Sequence, residues 1–177
     1  PRPRAATLAP MLPTLEGELV TLRTPRSGDA EALARVIAEP EVLPWWGPHD
    51  AEAVQRDQFE AETGWVIEAG GEPCGWIEFY EEREPRYMHA SLDLYVTASL
   101  HGRGHGIEAM RLAIRHLVAR GHHRFTIDPA LDNGRSIAAY AKLGFQPVGK
   151  LRSYERDNDG EWRDGLLMDL LADELTG

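Results

Sequence analysis

Cysteine is almost absent from this sequence, in which Cys74 is the single one among 177 residues. One cysteine cannot form a disulfide within the chain, so we expect a reducing, cytoplasmic setting and a fold that depends on its hydrophobic core. The sequence also lacks an apolar run of about 20 residues, the length with which a helix crosses a bilayer. No membrane association is therefore expected.

Basic residues are scarce as well, because 19 Lys and Arg stand against 29 Asp and Glu, a formal net charge of −10. Proteins that hold the phosphates of nucleic acids usually carry the opposite charge, so a nucleic-acid partner is not expected. An acidic surface attracts cations, and this favours a small cationic amine as the substrate. The same charge would also arise if it served solubility alone.

Helical and strand periodicities alternate along a chain whose length suits one domain. Helices are predicted after Ser27, at about 50–61, after Gly106 and before Gly144. The predicted strands lie at about 19–23, 65–69, 74–80, 89–96, 124–127, 145–151 and 162–170. This order predicts an α/β (α+β) domain over residues 18–177, with a mixed, mostly antiparallel central sheet flanked by helices. Residues 1–17, rich in Ala and Pro, are predicted to be a flexible N-terminal leader.

The most informative stretch is His101-Gly102-Arg103-Gly104-His105-Gly106, between a predicted strand and a strongly periodic helix. Glycines at a helix start expose backbone N–H groups at the positive end of the helix, which predicts a phosphate or pyrophosphate site. A P-loop needs a Lys-Ser/Thr pair where Ile107-Glu108 stands, so an ordinary P-loop nucleotidase is excluded. A dinucleotide-binding Rossmann unit carries its glycines early in a parallel βαβ unit, whereas two hairpin-like strands precede them here.

This junction resembles the acetyl-CoA signature of the GNAT superfamily of acetyltransferases, Arg/Gln-x-x-Gly-x-Gly/Ala, with His101 in the leading position. A second GNAT pattern is an Asn followed by a helix that ends in Tyr-x-x-x-Gly-Phe, and it is matched by Asn133, Tyr140, Gly144 and Phe145. The resemblance implies a GNAT fold, N-acetyltransferase activity and acetyl-CoA as the cosubstrate.

The resemblance runs from about residue 19 to 170 and assigns the acetyl-CoA site to the glycine-rich junction and the strand before it. Backbone N–H groups at the end of that strand would polarise the thioester carbonyl. The predicted cofactor-binding residues are Leu94, Tyr95, Val96, His101, Gly102, Arg103, Gly104, His105, Gly106 and Asn133.

Amide formation from a thioester needs a base that takes a proton from the amine and an acid for the departing thiolate. Asp93, on the predicted central strand, is expected to be the base, and Glu78 on the neighbouring strand is the alternative. Either carboxylate could instead be solvated or paired in a salt bridge. The resemblance implies that Tyr140 is the acid, and a phenol with an ordinary pKa of about 10 can supply that proton. A role for Tyr140 in core packing alone stays open.

Within the superfamily the chain is most similar to aminoglycoside N-acetyltransferases of the 6′-type or the related 2′-type. The likeness is carried by Trp45-Trp46-Gly47, by Gly75-Trp76-Ile77-Glu78-Phe79-Tyr80 and by Asp128-Pro129 leading to Asn133. It implies acetylation of an aminoglycoside, kasugamycin-like compounds included, and resistance to that antibiotic. Aromatic faces cover sugar C–H surfaces and attract cations. The predicted acceptor-binding residues are Trp45, Trp46, Glu78, Tyr80, Asp93 and Asp128.

Other interpretations stay open. A GNAT enzyme for another amine (a protein N-terminus, a polyamine or a siderophore precursor) would keep the cofactor, although siderophore-lysine acyltransferases typically place a His near Asp93. A domain that binds CoA or a drug without turnover would lack the chemistry. No metal is expected, because His101 and His105 lie in a glycine-rich turn without an evident third ligand. The sequence is compatible with a monomer or a homodimer.

Overall fold

The structure is a computed structural model that describes residues 12–177. Within these residues eight strands form one sheet in the order β1-β2-β3-β4-β5-β6-β8-β7. The strands are β1 Leu15–Glu16, β2 Thr21–Arg23, β3 Gly64–Ala69, β4 Glu72–Glu82, β5 His89–Val96, β6 Arg124–Ile127, β7 Gln146–Arg156 and β8 Trp162–Leu171. The helices are α1 Asp29–Ile37, α2 Leu43–Trp46, α3 Ala51–Val54, α4 His105–Ala119 and α5 Gly134–Leu143. A π-helical turn, Gln55–Phe59, continues α3. The predicted fold, a mostly antiparallel mixed sheet flanked by helices, is confirmed.

The pairing between β5 and β6 is parallel and short. It joins Ala90 to Phe125 and Ser91 to Thr126, whereas β5 continues to Val96. β4, by contrast, follows β5 as an antiparallel partner along its whole length. A cleft therefore opens between the carboxyl-terminal half of β5 and the segment that follows β6. Ligands of sheets with parallel strands usually bind in the crevice at the carboxyl ends of those strands.

The core lies on both faces of the sheet, because successive strand residues point to opposite sides. On one face Ile77 of β4 and Phe125 of β6 are fully buried against α4, where Met110 and Ile114 are also fully buried. The other face is covered by α1 and α3. Its buried side chains are Leu33, Val36, Ile37, Val42, Val54, Val66, Trp76 and Tyr95.

Two local features differ from the sequence-based expectation. Helix α1 was predicted to begin after Ser27, but Gly28 stands before its first residue as the N-cap, with a φ of 89° and no side-chain cap. Such a left-handed backbone suits glycine. The Trp45-Trp46 segment lies outside the predicted helices and strands, but it forms the short helix α2, in which Pro44 occupies the first turn where a missing N–H costs nothing.

Residues 12–17 belong to the folded domain. Leu15 pairs with Leu22 in β2, and the carbonyl of Pro13 accepts a hydrogen bond of 2.9 Å from the indole N–H of Trp65. The predicted leader over residues 1–17 therefore ends earlier than expected, because Leu12 and Leu15 also pack on the core. Its remaining part, residues 1–11, lies outside the described residues.

Glu108, in the first turn of α4, fixes the connection between β1 and β2. Its carboxylate accepts hydrogen bonds from the backbone N–H groups of Glu18 (3.0 Å), Leu19 (2.7 Å) and Val20 (2.8 Å). Desolvation opposes ionisation here, yet these donors prevail and hold the pKa of Glu108 below its usual range. The same contact places Leu19 against Gly104, 3.3 Å from the point where a side chain would begin.

We expect Glu108→Ala to lower the free energy of unfolding by about 2–3 kcal/mol, since three N–H groups lose a charged acceptor. Denaturant unfolding at pH 7 measures the change. The pKa of Glu108 is lowered on folding, so its stabilisation is present above the unfolded-state pKa and is lost as the pH falls through the folded-state pKa. The difference between wild type and variant should therefore shrink in acid.

Glu60→Ala, which removes an exposed carboxylate, is the control and should change stability by less than about 0.5 kcal/mol. Equal free energies of unfolding for wild type and Glu108→Ala would contradict the stabilising role of the Glu108 hydrogen bonds.

Candidate active site

The cleft beside β5 encloses a cavity of about 570 Å³. Its walls come from the end of β5, the glycine-rich loop, one side of α5, the helix α2 and the irregular part of β7. The predicted site residues that line it are Trp45, Trp46, Asp93, Leu94, Tyr95, Val96, His101, Gly102, Gly104, Gly106, Asp128, Asn133 and Tyr140. The structure thus brings most of the predicted residues to one place.

Four predicted residues do not line this cavity: Glu78, Tyr80, Arg103 and His105. Glu78 lies just behind it, directly opposite Asp93 in the β4–β5 pairing. Tyr80 shares the sheet face of Glu78 but is two residues farther along β4, opposite Ser91, and is 70% exposed. The structure therefore does not bring Tyr80 to the cavity, contrary to the expectation for an acceptor-binding residue.

The glycine-rich loop forms an anion-binding end of the cavity. Gly102 and Gly104 have φ values of 72° and 88°, and Gly102 has open space where a side chain would begin. Helix α4 starts at His105 with no side-chain cap, so the N–H groups of its first turn remain available to a ligand. These features fit a pyrophosphate group.

His101 is held between two polar groups at this end. Arg135 Nη1 donates to its Nδ1 at 2.5 Å, and its Nε2 lies 2.8 Å from the carbonyl oxygen of Val96. A guanidinium can only donate, so Nδ1 is the acceptor, and Nε2 carries the proton that is donated to Val96. His101 is therefore a neutral imidazole in this arrangement. Within residues 12–177 no group of three His, Cys, Asp or Glu side chains is placed to hold a metal ion.

Asp93 lies on the floor of the cavity. Asp93 is exposed to the open cleft. Desolvation by the surrounding protein raises its pKa to about 8, helped by the nearby charge of Glu78. The backbone N–H of Leu94 donates to Asp93 at 2.8 Å and opposes this shift. Burial also raises the pKa of Glu78, against a 2.9 Å hydrogen bond from the indole N–H of Trp76. Two adjacent carboxyls with raised pKa values are typical of proton-transfer sites.

Tyr140 and Asn133 come from α5. The Tyr140 ring is buried at the cavity wall, where desolvation and the nearby Asp93 raise its pKa above the ordinary value. Its hydroxyl therefore stays protonated at neutral pH. Asn133 Oδ1 caps the helix by accepting from the N–H of Ser136 at 3.2 Å. The amide of Asn133 thus fixes the start of α5 beside the glycine-rich loop.

The two tryptophans of α2, Trp45 and Trp46, form another wall of the cavity. Trp46 packs edge-on against Tyr95 with ring centroids 4.7 Å apart, and the guanidinium of Arg163 lies 5.1 Å from the centre of the Trp45 ring. Arg163 also donates to the carbonyl of Pro44 at 3.0 Å and to Glu155 at 2.8 Å. The β7–β8 hairpin is therefore fastened to α2 across the mouth of the cavity.

Sequence reasoning missed the contribution of β7. Its pairing with β8 is irregular between Leu151 and Glu155, and Ser153 has a φ of 48°. Tyr154 thereby reaches the cavity, where its hydroxyl donates to Asp128, and this bond raises the pKa of Tyr154 to about 12. A serine in a left-handed conformation leaves no signal in the sequence. The charged lining residues that were missed are Glu41, Arg135, Lys142, Glu155 and Arg163.

Carboxyls gather at one end of the cavity, where Arg163 pairs with Glu155. Arg135 lies at the glycine-rich end, whereas Asp128 and Glu155 accompany Asp93 at the other end and add to the increase in its pKa. This arrangement can hold an anion and a cation side by side, with a carboxyl base and a phenol acid between them.

No helix in the described part of the chain has the length and apolar character needed to cross a membrane.

A family model described as an acetyltransferase (GNAT) domain matches residues 20–146. The chain is 29% identical over 98 residues to an uncharacterized N-acetyltransferase of Methanocaldococcus jannaschii, covering 51% of this chain and 42% of that protein. It is 25% identical over 114 residues to the mycothiol acetyltransferase of Corynebacterium glutamicum, covering 63% and 38% of the two chains. The chain thus spans less than half the length of these relatives.

Among solved structures, RimJ of Mycobacterium smegmatis in complex with CoA-disulfide superposes with a TM-score of 0.74 at 28% identity. The match covers 89% of this chain and 84% of RimJ. The fold thus has a counterpart in a protein that was solved with a CoA derivative.

We expect Glu78→Gln to lower the pKa of Asp93 from about 8, because it removes the nearest negative charge. The value should stay above that of an ordinary aspartate, since desolvation remains. Carboxyl ¹³C NMR titration measures it, and Glu82→Gln, at the far end of β4, serves as the control. An unchanged pKa in Glu78→Gln would contradict the coupling of the two carboxyls.

Proposed function

Since the chain belongs to the GNAT acetyltransferase family, we propose that it transfers the acetyl group of acetyl-CoA to an amino group of an aminoglycoside antibiotic. The 6′ and 2′ amines, including that of kasugamycin-like compounds, are the candidates, and resistance to the antibiotic would follow. The observation that carries this proposal is the cavity itself, in which an anion-binding loop and a cluster of carboxyls flank Asp93 and Tyr140.

The cofactor end supports acetyl-CoA. The uncapped start of α4 and the open backbone at Gly102 suit a pyrophosphate, and Leu94, Tyr95 and Val96 line the path toward Asp93. Acetyl-CoA would supply the activated acyl group as a thioester. The neighbouring N–H groups of β5 would polarise its carbonyl oxygen.

The acceptor end supports a compound with several amines. Asp93, Asp128 and Glu155 surround a space that is walled by the rings of Trp45 and Trp46. Carboxylates in an enclosed site attract ammonium groups, and aromatic faces cover the apolar faces of sugar rings. An aminoglycoside offers both features in one molecule. One oxygen of the Asp128 carboxylate accepts the hydrogen bond from Tyr154, and its other oxygen would bind a second ammonium group.

Acetylation of an ammonium group removes two protons from the nitrogen, one before and one after the C–N bond forms, and delivers one proton to the departing sulfur. The second nitrogen proton would leave through water and replace the one that the sulfur receives. Asp93 in its ionised form would take the proton from the ammonium group, directly or through water, so that the amine can form the new C–N bond. Tyr140 would donate a proton to the sulfur as the C–S bond breaks, because its raised pKa keeps the hydroxyl protonated. Glu78 would maintain the high proton affinity of Asp93 from behind the cavity.

We expect Asp93→Asn to lower kcat by about 10²–10⁴-fold and Tyr140→Phe to lower it by a smaller factor, because each variant loses a proton-transfer group. In the wild type kcat/KM should rise with pH through about 8, since only the ionised Asp93 acts as a base. Steady-state rates from pH 6 to 10 test both expectations. Tyr87→Phe, an exposed residue far from the cavity, is the control. Full turnover in both site variants would refute the assigned roles.

Asp93→Asn should also be more stable than the wild type at alkaline pH. The pKa of Asp93 is raised on folding, so its favourable contribution is complete below the unfolded-state pKa and is lost as the pH rises through about 8. Thermal unfolding at pH 6 and pH 9 therefore separates loss of catalysis from loss of folding.

The acceptor is tested by release of free thiol from acetyl-CoA with kanamycin, gentamicin, kasugamycin, spermidine, lysine and N-terminal peptides. We expect turnover with at least one aminoglycoside, since its ammonium groups match the carboxyls of the cavity, and product NMR identifies the amine. Activity confined to a peptide, a polyamine or lysine would refute the aminoglycoside proposal and retain acetyl transfer. No thiol release with any of these amines would favour a domain that binds CoA without turnover.

A further inference from the structure

Arg135 and His101 come from different elements and meet beside the glycine-rich loop. Arg135 is exposed in the first turn of α5, whereas His101 precedes α4, and both line the cavity. We infer that Arg135, oriented by His101, is a phosphate ligand of acetyl-CoA and supplies the positive charge that position 101 itself lacks. The inference deepens the proposed function and rests on its use of acetyl-CoA.

The bond between the two side chains leaves the charge of Arg135 intact. The Nδ1 atom of neutral His101 accepts one guanidinium N–H, while the ring is anchored on its other side by the carbonyl of Val96. Guanidinium has five N–H donors, so the remaining ones are free to bind a phosphate in a bidentate manner. The imidazole therefore orients the guanidinium without neutralising it.

Other arginines of this acidic protein are paired differently. Arg23 bonds Asp29 and Glu68, Arg124 bonds Asp169, and Arg163 bonds Glu155. Those ion pairs cancel the positive charge locally. An arginine whose partner is a neutral ring, at the edge of a cavity, keeps its attraction for an anion.

The surroundings of Arg135 suit a phosphate. Gly102 leaves open space beside the loop, and α4 presents its uncapped N–H groups to the same cavity. Backbone donors and a guanidinium that converge on one space are a typical phosphate site. Arg135 thus adds a charged side-chain donor to the backbone donors at the start of α4.

We expect Arg135→Gln to weaken CoA binding about ten- to a hundredfold by isothermal titration calorimetry, since a hydrogen bond to a charged group is lost. The Kd of wild type should rise more steeply with salt than that of the variant, because a charge–charge contact is screened. His101→Ala should weaken binding less than Arg135→Gln. The double variant should bind no worse than Arg135→Gln, since His101 acts through Arg135.

Arg111→Gln is the matched control, because Arg111 also bonds a neutral acceptor, the carbonyl of Thr176, but does not line the cavity. Its Kd for CoA should equal that of the wild type. Thermal unfolding of each variant establishes that the fold is retained. A wild-type Kd in Arg135→Gln, an unchanged salt dependence, or additive losses from His101 and Arg135 would overturn the inference. A wild-type protein that fails to bind CoA would overturn the proposed function as well, whereas failure with every amine would leave this inference standing.

Discussion

The short parallel pairing of β5 with β6 is the constraint on which the rest of the site depends. Only Ala90 and Ser91 are joined to β6, so the last residues of β5 carry backbone groups that this neighbour does not use. Continued pairing would have closed the sheet and buried Asp93 between two strands. The separation instead creates a cavity whose one side is β5 and whose far side begins at Asp128.

The cavity collects unfavourable interactions that the rest of the fold must support. Asp93 and Glu78 face each other across neighbouring strands, and Asp128 adds further negative charge. Neighbouring like charges destabilise the folded state and also raise the proton affinity of Asp93. The feature that suits catalysis therefore also lowers stability. The mouth is fixed by Arg163, which bonds Glu155 and α2, and by Tyr154, which bonds Asp128. These contacts hold the carboxyls of Asp128 and Glu155 in place.

Much of this arrangement could be predicted from the sequence, because its signals are local. Alternating glycines before a periodic helix indicated the anion site, and an aspartate inside an apolar strand indicated a carboxyl on the sheet. Tyr154 and Arg135 could not be predicted, since one depends on a left-handed serine in β7 and the other on packing between α4 and α5. Tyr80 was predicted from likeness alone, and its place two residues farther along the strand, about 7 Å, puts its side chain outside the cavity. Local patterns thus indicate which chemistry is present, while tertiary contacts decide which residues share it.

A crystal structure of the protein with bound CoA tests the central claim most directly. We expect the phosphates to lie on the backbone of Gly102 to Gly106 beside Arg135, and the sulfur to lie between Asp93 and the hydroxyl of Tyr140. CoA bound outside this cleft, or with its sulfur away from both side chains, would contradict the account.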